Sequence, residues 1–380
     1  MVKRTPVALA IVTIIIVCLS IVISANWFTS PKPNREFYVG AEYAYGDSAN
    51  EVKALVDKVK DYTNLVVLGS VGLSFNQSAL TEACDYISNA KLNFIIMFTD
   101  ITKYSYNTSV WTDNAKTKYG SLFLGIYRYD EPGGIQLDQP QNSESIMVSK
   151  ASNYSDAAQQ YTTYMYNHVD YYHEFFNNVT VLTADYGLYW FDYKSSYDAI
   201  LAEFVWNQSR QIPIALCRGA AQTQGKDWGT IITWKYDKAP YLESGEQLYT
   251  DLRLAYEAGA KYAVVFSYPT IGEYGTLTEE HFDAMKRFWD SIQNDQGFGS
   301  NSAEVAYVVP KDYGFGFRSA QDTIWGLFKP DDLSVKIWND VNKLEGLYGS
   351  RFNILYDDNL NIATLEKSYE KVIFWNQTVT

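Results

Sequence analysis

From residue 37 onward, short apolar runs alternate with stretches in which apolar residues recur every three or four positions. The runs predict strands buried on both faces, and the periodic stretches predict amphipathic helices. "FYVGAEYAY" opens the series, and "NLVVLGSV", "LNFIIMFTD", "SLFLGIYRYDE", "VTVLTADY", "DAILAEFVW", "GTIITWKY" and "KYAVVFSYP" continue it. Helical spacing separates them, from "NEVKALVDKVKDY" after the first strand to "TEEHFDAMKRFWDSIQ" after the eighth. A polar insertion at 135–153 interrupts the fourth unit, and "YWFDYKSSY" reads as a short helical connector after the fifth strand. Eight strand–helix units over residues 37–293 predict an α/β fold of the (β/α)₈ TIM-barrel type. An open doubly wound sheet is disfavoured, because no Gly-rich phosphate turn follows the first strand. "RGAAQTQGKDWG" (218–229) has no phosphate-loop spacing and reads as a helix end with a glycine exit.

"NDQGFGSNS" (294–302) has the composition of a linker. Beyond it, "AEVAYVVP", "FNILYDD" and "YEKVIFWN" predict three parallel strands, with a helix in "LSVKIWNDVNKLEGLYG". Residues 303–380 therefore form a small three-layer α/β domain, too small for an independent core and expected to pack on the barrel.

The N-terminus differs in kind. Lys3 and Arg4 precede an uncharged apolar run at residues 7–24. This predicts one transmembrane helix, with the positive flank in the cytoplasm and the rest of the chain outside. Residues 1–25 are the anchor, a cleaved signal peptide being the alternative, and 26–36 a Pro-containing spacer. Localisation at the cell membrane, single-pass, with the C-terminal domains extracellular, follows. Six Asn-X-Ser/Thr triplets begin at Asn76, Asn107, Asn153, Asn178, Asn207 and Asn376. Composition alone predicts about three, so the excess suits a glycoprotein.

Net charge is −13 and no basic stripe appears, which argues against a nucleic-acid partner. Cys84 and Cys217 lie in helical patterns and are expected as buried free thiols. Neither they nor His168, His173 and His281 have metal-ligand spacing, so no metal and no cofactor is expected. No Gly-X-Ser-X-Gly elbow is present, which disfavours acyl transfer.

In a barrel of this type the C-terminal strand ends converge on one functional face. Glu42 ends the first strand, Asp100 the third, and Tyr127, Asp130 and Glu131 the fourth. Asp185 ends the fifth, Glu203 and Trp206 the sixth, Trp234 and Lys235 the seventh, and Tyr268 the eighth. Glycoside hydrolysis needs one protonated and one ionised carboxyl, and aromatic rings suit the C–H faces of sugars. Glu131, Glu203 and Asp185 are the candidate catalytic acids; the others are candidate substrate-binding groups. Each has a structural alternative. Glu131 could pair with Arg128, Glu203 with Lys235 or Arg218, and Asp185 could cap the next turn. Glu42 could fill the barrel floor, and Trp234 and Tyr268 could be packing.

"YRYDEP" at the end of the fourth strand resembles the fourth-strand acid of glycoside-hydrolase barrels. Residues 37–292 resemble such a barrel as a whole, and the unit after it resembles the accessory domain behind some of them. With the N-terminal segment included, the chain is similar to membrane-anchored cell-surface proteins of archaeal type. Where one large clan of these enzymes carries Asn-Glu, this chain has Asp130-Glu131. The resemblance implies an extracellular, membrane-tethered carbohydrate-active protein acting on a glycan, with Glu131 as general acid and Glu203 as nucleophile or base. A non-catalytic glycan-binding or cell-envelope protein on the same scaffold is the alternative.

Overall fold

The computed structural model describes residues 36–268 and 274–380. The expected membrane segment at 7–24 lies outside them, and no helix among the described residues is long and apolar enough to cross a membrane.

The barrel is closed and parallel throughout. Its strands are β1 (Tyr38–Tyr43), β2 (Leu65–Leu68), β3 (Asn93–Met97), β4 (Phe123–Tyr127), β5 (Val181–Asp185), β6 (Ala199–Phe204), β7 (Asp227–Ile232) and β8 (Tyr262–Val265). Each pairs with the next, and β1 closes on β8 through Tyr38↔Tyr262 and Ala41↔Val265. Nearly every strand residue is buried, as expected for a sheet with side chains filling its inside and helices covering its outside. The seventh strand begins and ends earlier than its apolar run suggests. It starts at the exposed Asp227 and stops at Ile232, which leaves Trp234 and Lys235 in the loop beyond it.

Helices α1 (Ala49–Val59), α2 (Val71–Phe75), α3 (Gln77–Asn89) and α4 (Thr108–Tyr119) cover the first half of the barrel. Helix α5 (Pro132–Asp138) starts the polar insertion, and α6 (Tyr154–Phe175) follows it. The second half carries α7 (Tyr189–Lys194), α8 (Gln211–Gln224), α9 (Gly245–Glu257) and α10 (Glu279–Ile292). Three sequon asparagines have a local role here. Asn76, Asn107 and Asn153 are N-caps, their side-chain oxygens accepting the backbone N–H of Ala79, Val110 and Asp156. Asn is a preferred N-cap residue, so part of the sequon excess arises from helix initiation. Cys84 and Cys217 are buried free thiols. Gly225 ends α8 in the left-handed conformation, the glycine exit expected there.

After residues 294–302 come β9 (Val305–Val309), α11 (Asp332–Tyr348), β10 (Phe352–Tyr356), α12 (Ile362–Ser368) and β11 (Lys371–Phe374). The sheet is parallel in the order β10-β9-β11. Residues 37–380 cluster as one unit, and α8 is the joint between its two sheets. Arg218 on α8 is fully buried and does not pair with Glu203. It donates to Asn353 Oδ1 (2.8 Å) and to the carbonyls of Ser350 (2.5 Å), Phe352 (3.0 Å) and Asn301 (3.0 Å). Next to it, a Cβ on Gly219 would lie 2.6 Å from the Ile354 carbonyl. Only glycine lets the helix approach β10 so closely. The segment between β9 and α11 returns to the barrel mouth, where the Trp325 carbonyl accepts from Gln136 Nε2 at 2.9 Å.

Candidate active site

The chain after β4 is bent twice. Tyr129 (φ 59°) and Glu131 (φ 51°) are both left-handed, on either side of Asp130. Backbone bonds to β5 hold this path: Arg128 N–H to the Leu182 carbonyl at 2.9 Å, and Glu131 N–H to the Ala184 carbonyl at 3.1 Å. Glu131 occupies the N-cap position of α5, with Pro132 behind it, yet its side chain makes no capping bond. Asp185 satisfies those amides instead. Its carboxylate accepts the N–H groups of Gly133 (2.5 Å), Gly134 (2.9 Å), Tyr186 (2.7 Å) and Gly187 (3.1 Å). Asp185 thus ties the loop down and frees the Glu131 carboxyl for the cavity.

That cavity, about 550 Å³, opens at the C-terminal ends of the strands. Glu42, Tyr127, Asp130, Glu131, Glu203, Trp206 and Trp234 line it, so seven of the residues picked out at the rim converge on one space. Glu203, 5% exposed, lies deep and shares the cavity with the Glu131 carboxyl. The Tyr127 hydroxyl donates to Asp130. Glu42, 7% exposed, sits against Gly69, where a Cβ would come within 1.8 Å of its Oε1. Trp206, in the left-handed conformation and 43% exposed, stands at the mouth, its N–H held by the Trp234 carbonyl at 2.7 Å.

Crowding of acids in a poorly hydrated space raises their pKa values. Burial, then Asp130, pushes Glu42 up to about 8. Burial, then Asp130 and Asp185, pushes Glu131 up to about 7. Burial, then Glu131 and Asp130, holds Glu203 well above the carboxylate range. Asp130 is also raised by the poorly hydrated surroundings of the cavity, against the opposing bond from Tyr127, although its side chain stays exposed at the rim. At neutral pH the Glu131–Glu203 pair therefore keeps a proton between its two members, which titrate as a unit.

Four expected site residues do not line the cavity. Asp185 is fully buried and both its oxygens accept from backbone amides, so it faces the loop rather than the cavity. Asp100 turns to its own backbone and caps the turn Ile101–Lys103, accepting from Thr102 N–H at 3.0 Å and its hydroxyl at 2.8 Å. Lys235 lies past the end of β7, where its N–H donates to the Tyr241 carbonyl at 2.7 Å. Tyr268 packs behind the aromatic wall, its ring 4.9 Å from Tyr45 and 5.8 Å from Trp234.

The cavity also holds residues that the strand-end rule misses. Tyr45 (62% exposed) and Tyr186 add rings, each the last residue of an apolar run. Arg318 arrives from the segment after β9 and donates to Asp138 at 2.6 Å and to Asp322 at 2.8 and 2.7 Å. The Tyr186 hydroxyl donates to the same Asp138 at 2.9 Å. A second, smaller cavity of about 320 Å³ shares Tyr186, Gln208 and Arg318 with the first. No group of acids, His or Cys among the described residues is arranged to hold a metal ion.

No known protein family matches this sequence, and no curated protein does. Solved structures do resemble the fold. The β-galactosidase of the psychrophilic Marinomonas ef1 matches with a TM-score of 0.53 at 10% identity, over 89% of this chain and 72% of its own. The β-galactosidase of the Antarctic haloarchaeon Halorubrum lacusprofundi matches with a TM-score of 0.53 at 12% identity, over 89% of this chain and 69% of its own. At such identities the likeness is one of architecture alone: a closed parallel eight-stranded barrel joined to a small C-terminal sheet.

Proposed function

We propose that this protein is a glycoside hydrolase whose working pair is Glu131 and Glu203. The observation that carries the proposal is that both line one aromatic-walled cavity at the C-terminal barrel face, close enough to titrate together. A pair that shares one proton offers an acid and a carboxylate at once, which is what cleavage of a glycosidic bond requires. Glu131 is the half-buried member at the mouth, open to the water that it deprotonates in the second step. It acts as the general acid. Glu203, on the floor, attacks the anomeric carbon. At rest the deeper carboxyl holds the shared proton, and an entering glycan parts the two as the proton passes to Glu131. Glu131 then protonates the leaving oxygen as the C–O bond breaks and the Glu203 ester forms. Water, deprotonated by Glu131, releases the sugar and regenerates Glu203.

The apolar run at residues 7–24 supports a second part of the proposal, that the enzyme works outside the cell on a membrane tether. Incubating the full-length protein in detergent with a panel of polysaccharides and aryl glycosides tests the activity. Galactosides belong in that panel, since both neighbouring structures are named β-galactosidases. Release of reducing sugar supports the hydrolase. Binding without release on every member would make the protein a glycan-binding one.

A further inference from the structure

The cavity is charged in one sense. Glu42, Asp130, Glu131, Asp138 and Glu203 line it, and Arg318 is the one basic side chain among its described lining residues. Arg318 is already engaged by Asp138 and Asp322. Four carboxyls are left without a cation, and hydrolysis of a neutral sugar needs only two. Glu42 is the most telling of the four. It is 93% buried in side-chain surroundings that seat it against Gly69, it lines the cavity, and no hydrogen-bond partner for its carboxyl exists among the described residues. Buried polar groups are almost always partnered, so an unpartnered one aimed into a cavity marks a missing ligand donor. Asp130 lies close enough to Glu42 to raise its proton affinity, so the two acids address the same space. The indoles of Trp206 and Trp234 border it, and aromatic rings attract cations as well as sugar C–H faces.

We propose that the cavity takes a glycan carrying a free ammonium group, a hexosamine residue without its N-acyl substituent, with Glu42 and Asp130 receiving the ammonium. This rests on the glycan-site reading above and names its substrate class. An ammonium offers three donors and no acceptor, which matches two carboxyls that have acceptors to spare, Glu42 releasing its proton to solvent as the ammonium binds. An amide at the same position would present one donor and a carbonyl facing an acidic wall.

The test is a tryptophan-fluorescence titration of the full-length protein with methyl glucosaminide and methyl galactosaminide, each beside its N-acetyl and its 2-hydroxy counterpart. The amine should bind about tenfold or more tightly than both counterparts in at least one series, as expected for charge-assisted hydrogen bonds in a recessed site. In Glu42→Gln and in Asp130→Asn that ratio should fall toward one. Equal affinity across each series in the wild type, or no binding by any member, overturns the amino-sugar proposal, and needs no variant to fold. Cleavage of neutral glycans without preference for amines would sink this proposal and leave the hydrolase standing. A preference for amines without cleavage of any glycan would do the reverse.

Discussion

The carboxyls of Glu203, at the end of the sixth strand, and Glu131, four residues past the fourth, face one cavity in contact close enough to couple their titrations. Two acids in such contact cannot both be ionised at neutral pH without strong repulsion. Their proximity follows from a loop in which Asp185 takes over the capping of α5 and leaves Glu131 free.

Asp185 is therefore expected to act on Glu131 through the backbone. Asp185→Ala should strand four amides, three of them buried, and lower stability by about 3 kcal/mol or more, with turnover per folded molecule also reduced. Thermal unfolding monitored beside activity checks this. An Asp185→Ala protein that melts like wild type would show the amide cluster to be unimportant.

Glu42 should make stability depend on pH. Its folded pKa is raised to about 8 from the ordinary 4.5, so the folded state binds the proton more tightly than the unfolded one. The contribution is complete below about pH 4.5 and is lost as pH rises through about 8. Glu42→Gln removes the titration. Urea unfolding at pH 5 and pH 8.5 should show a smaller loss of stability in the variant than in wild type, and identical losses would count against a buried, proton-holding Glu42.

Arg218 should govern attachment of the C-terminal sheet. Arg218→Ala leaves the carbonyls of Ser350, Phe352 and Asn301 without their donor, at a cost of about 3–5 kcal/mol. Limited proteolysis should then cut residues 294–302 in the variant well before the wild type. Lysine cannot reproduce the forked geometry, so Arg218→Lys should rescue only in part. Equal cleavage of all three proteins would remove Arg218 from the joint.

Much of this architecture is legible in the sequence, because a parallel barrel writes each strand as an unbroken apolar run and each helix at its own period. The eight strands and the three after residue 302 are found where those runs stand. Register at the seventh strand is not, since Asp227 opens it on a polar residue and the apolar run overshoots its end. Trp234 still reaches the cavity from the loop, whereas Lys235 does not. An acid at a strand end also looks the same whether it faces the cavity, as Glu203 does, or backbone amides, as Asp185 does. What separates them is the position of Gly133 and Gly134, one strand away. Arg318 has no local signal at all: it joins the site from 180 residues beyond Asp138.

Glu131 and Glu203 line one cavity and are close enough to couple their titrations, the arrangement of a closely spaced pair. Inverting enzymes hold their acids about 6.5–9.5 Å apart, retaining ones about 5–5.5 Å. Retention is the expected outcome even after the substrate parts the pair. Proton NMR of the first-formed sugar reads it, and an inverted anomer would rule out attack by Glu203 on the sugar.

The most direct measurement is turnover per folded molecule for wild type, Glu131→Gln and Glu203→Gln on aryl glycosides of graded leaving-group acidity. Both variants should fold, because Gln is nearly isosteric and the pair is half-neutral already. Glu131→Gln should lose about 10²–10⁴-fold on poor leaving groups and far less on good ones, which need little protonation. Glu203→Gln should lose activity on all of them alike, since every substrate needs the attack. Wild-type turnover in both variants, on substrates the wild type cleaves, would contradict the account and take the Glu131–Glu203 pair out of the chemistry.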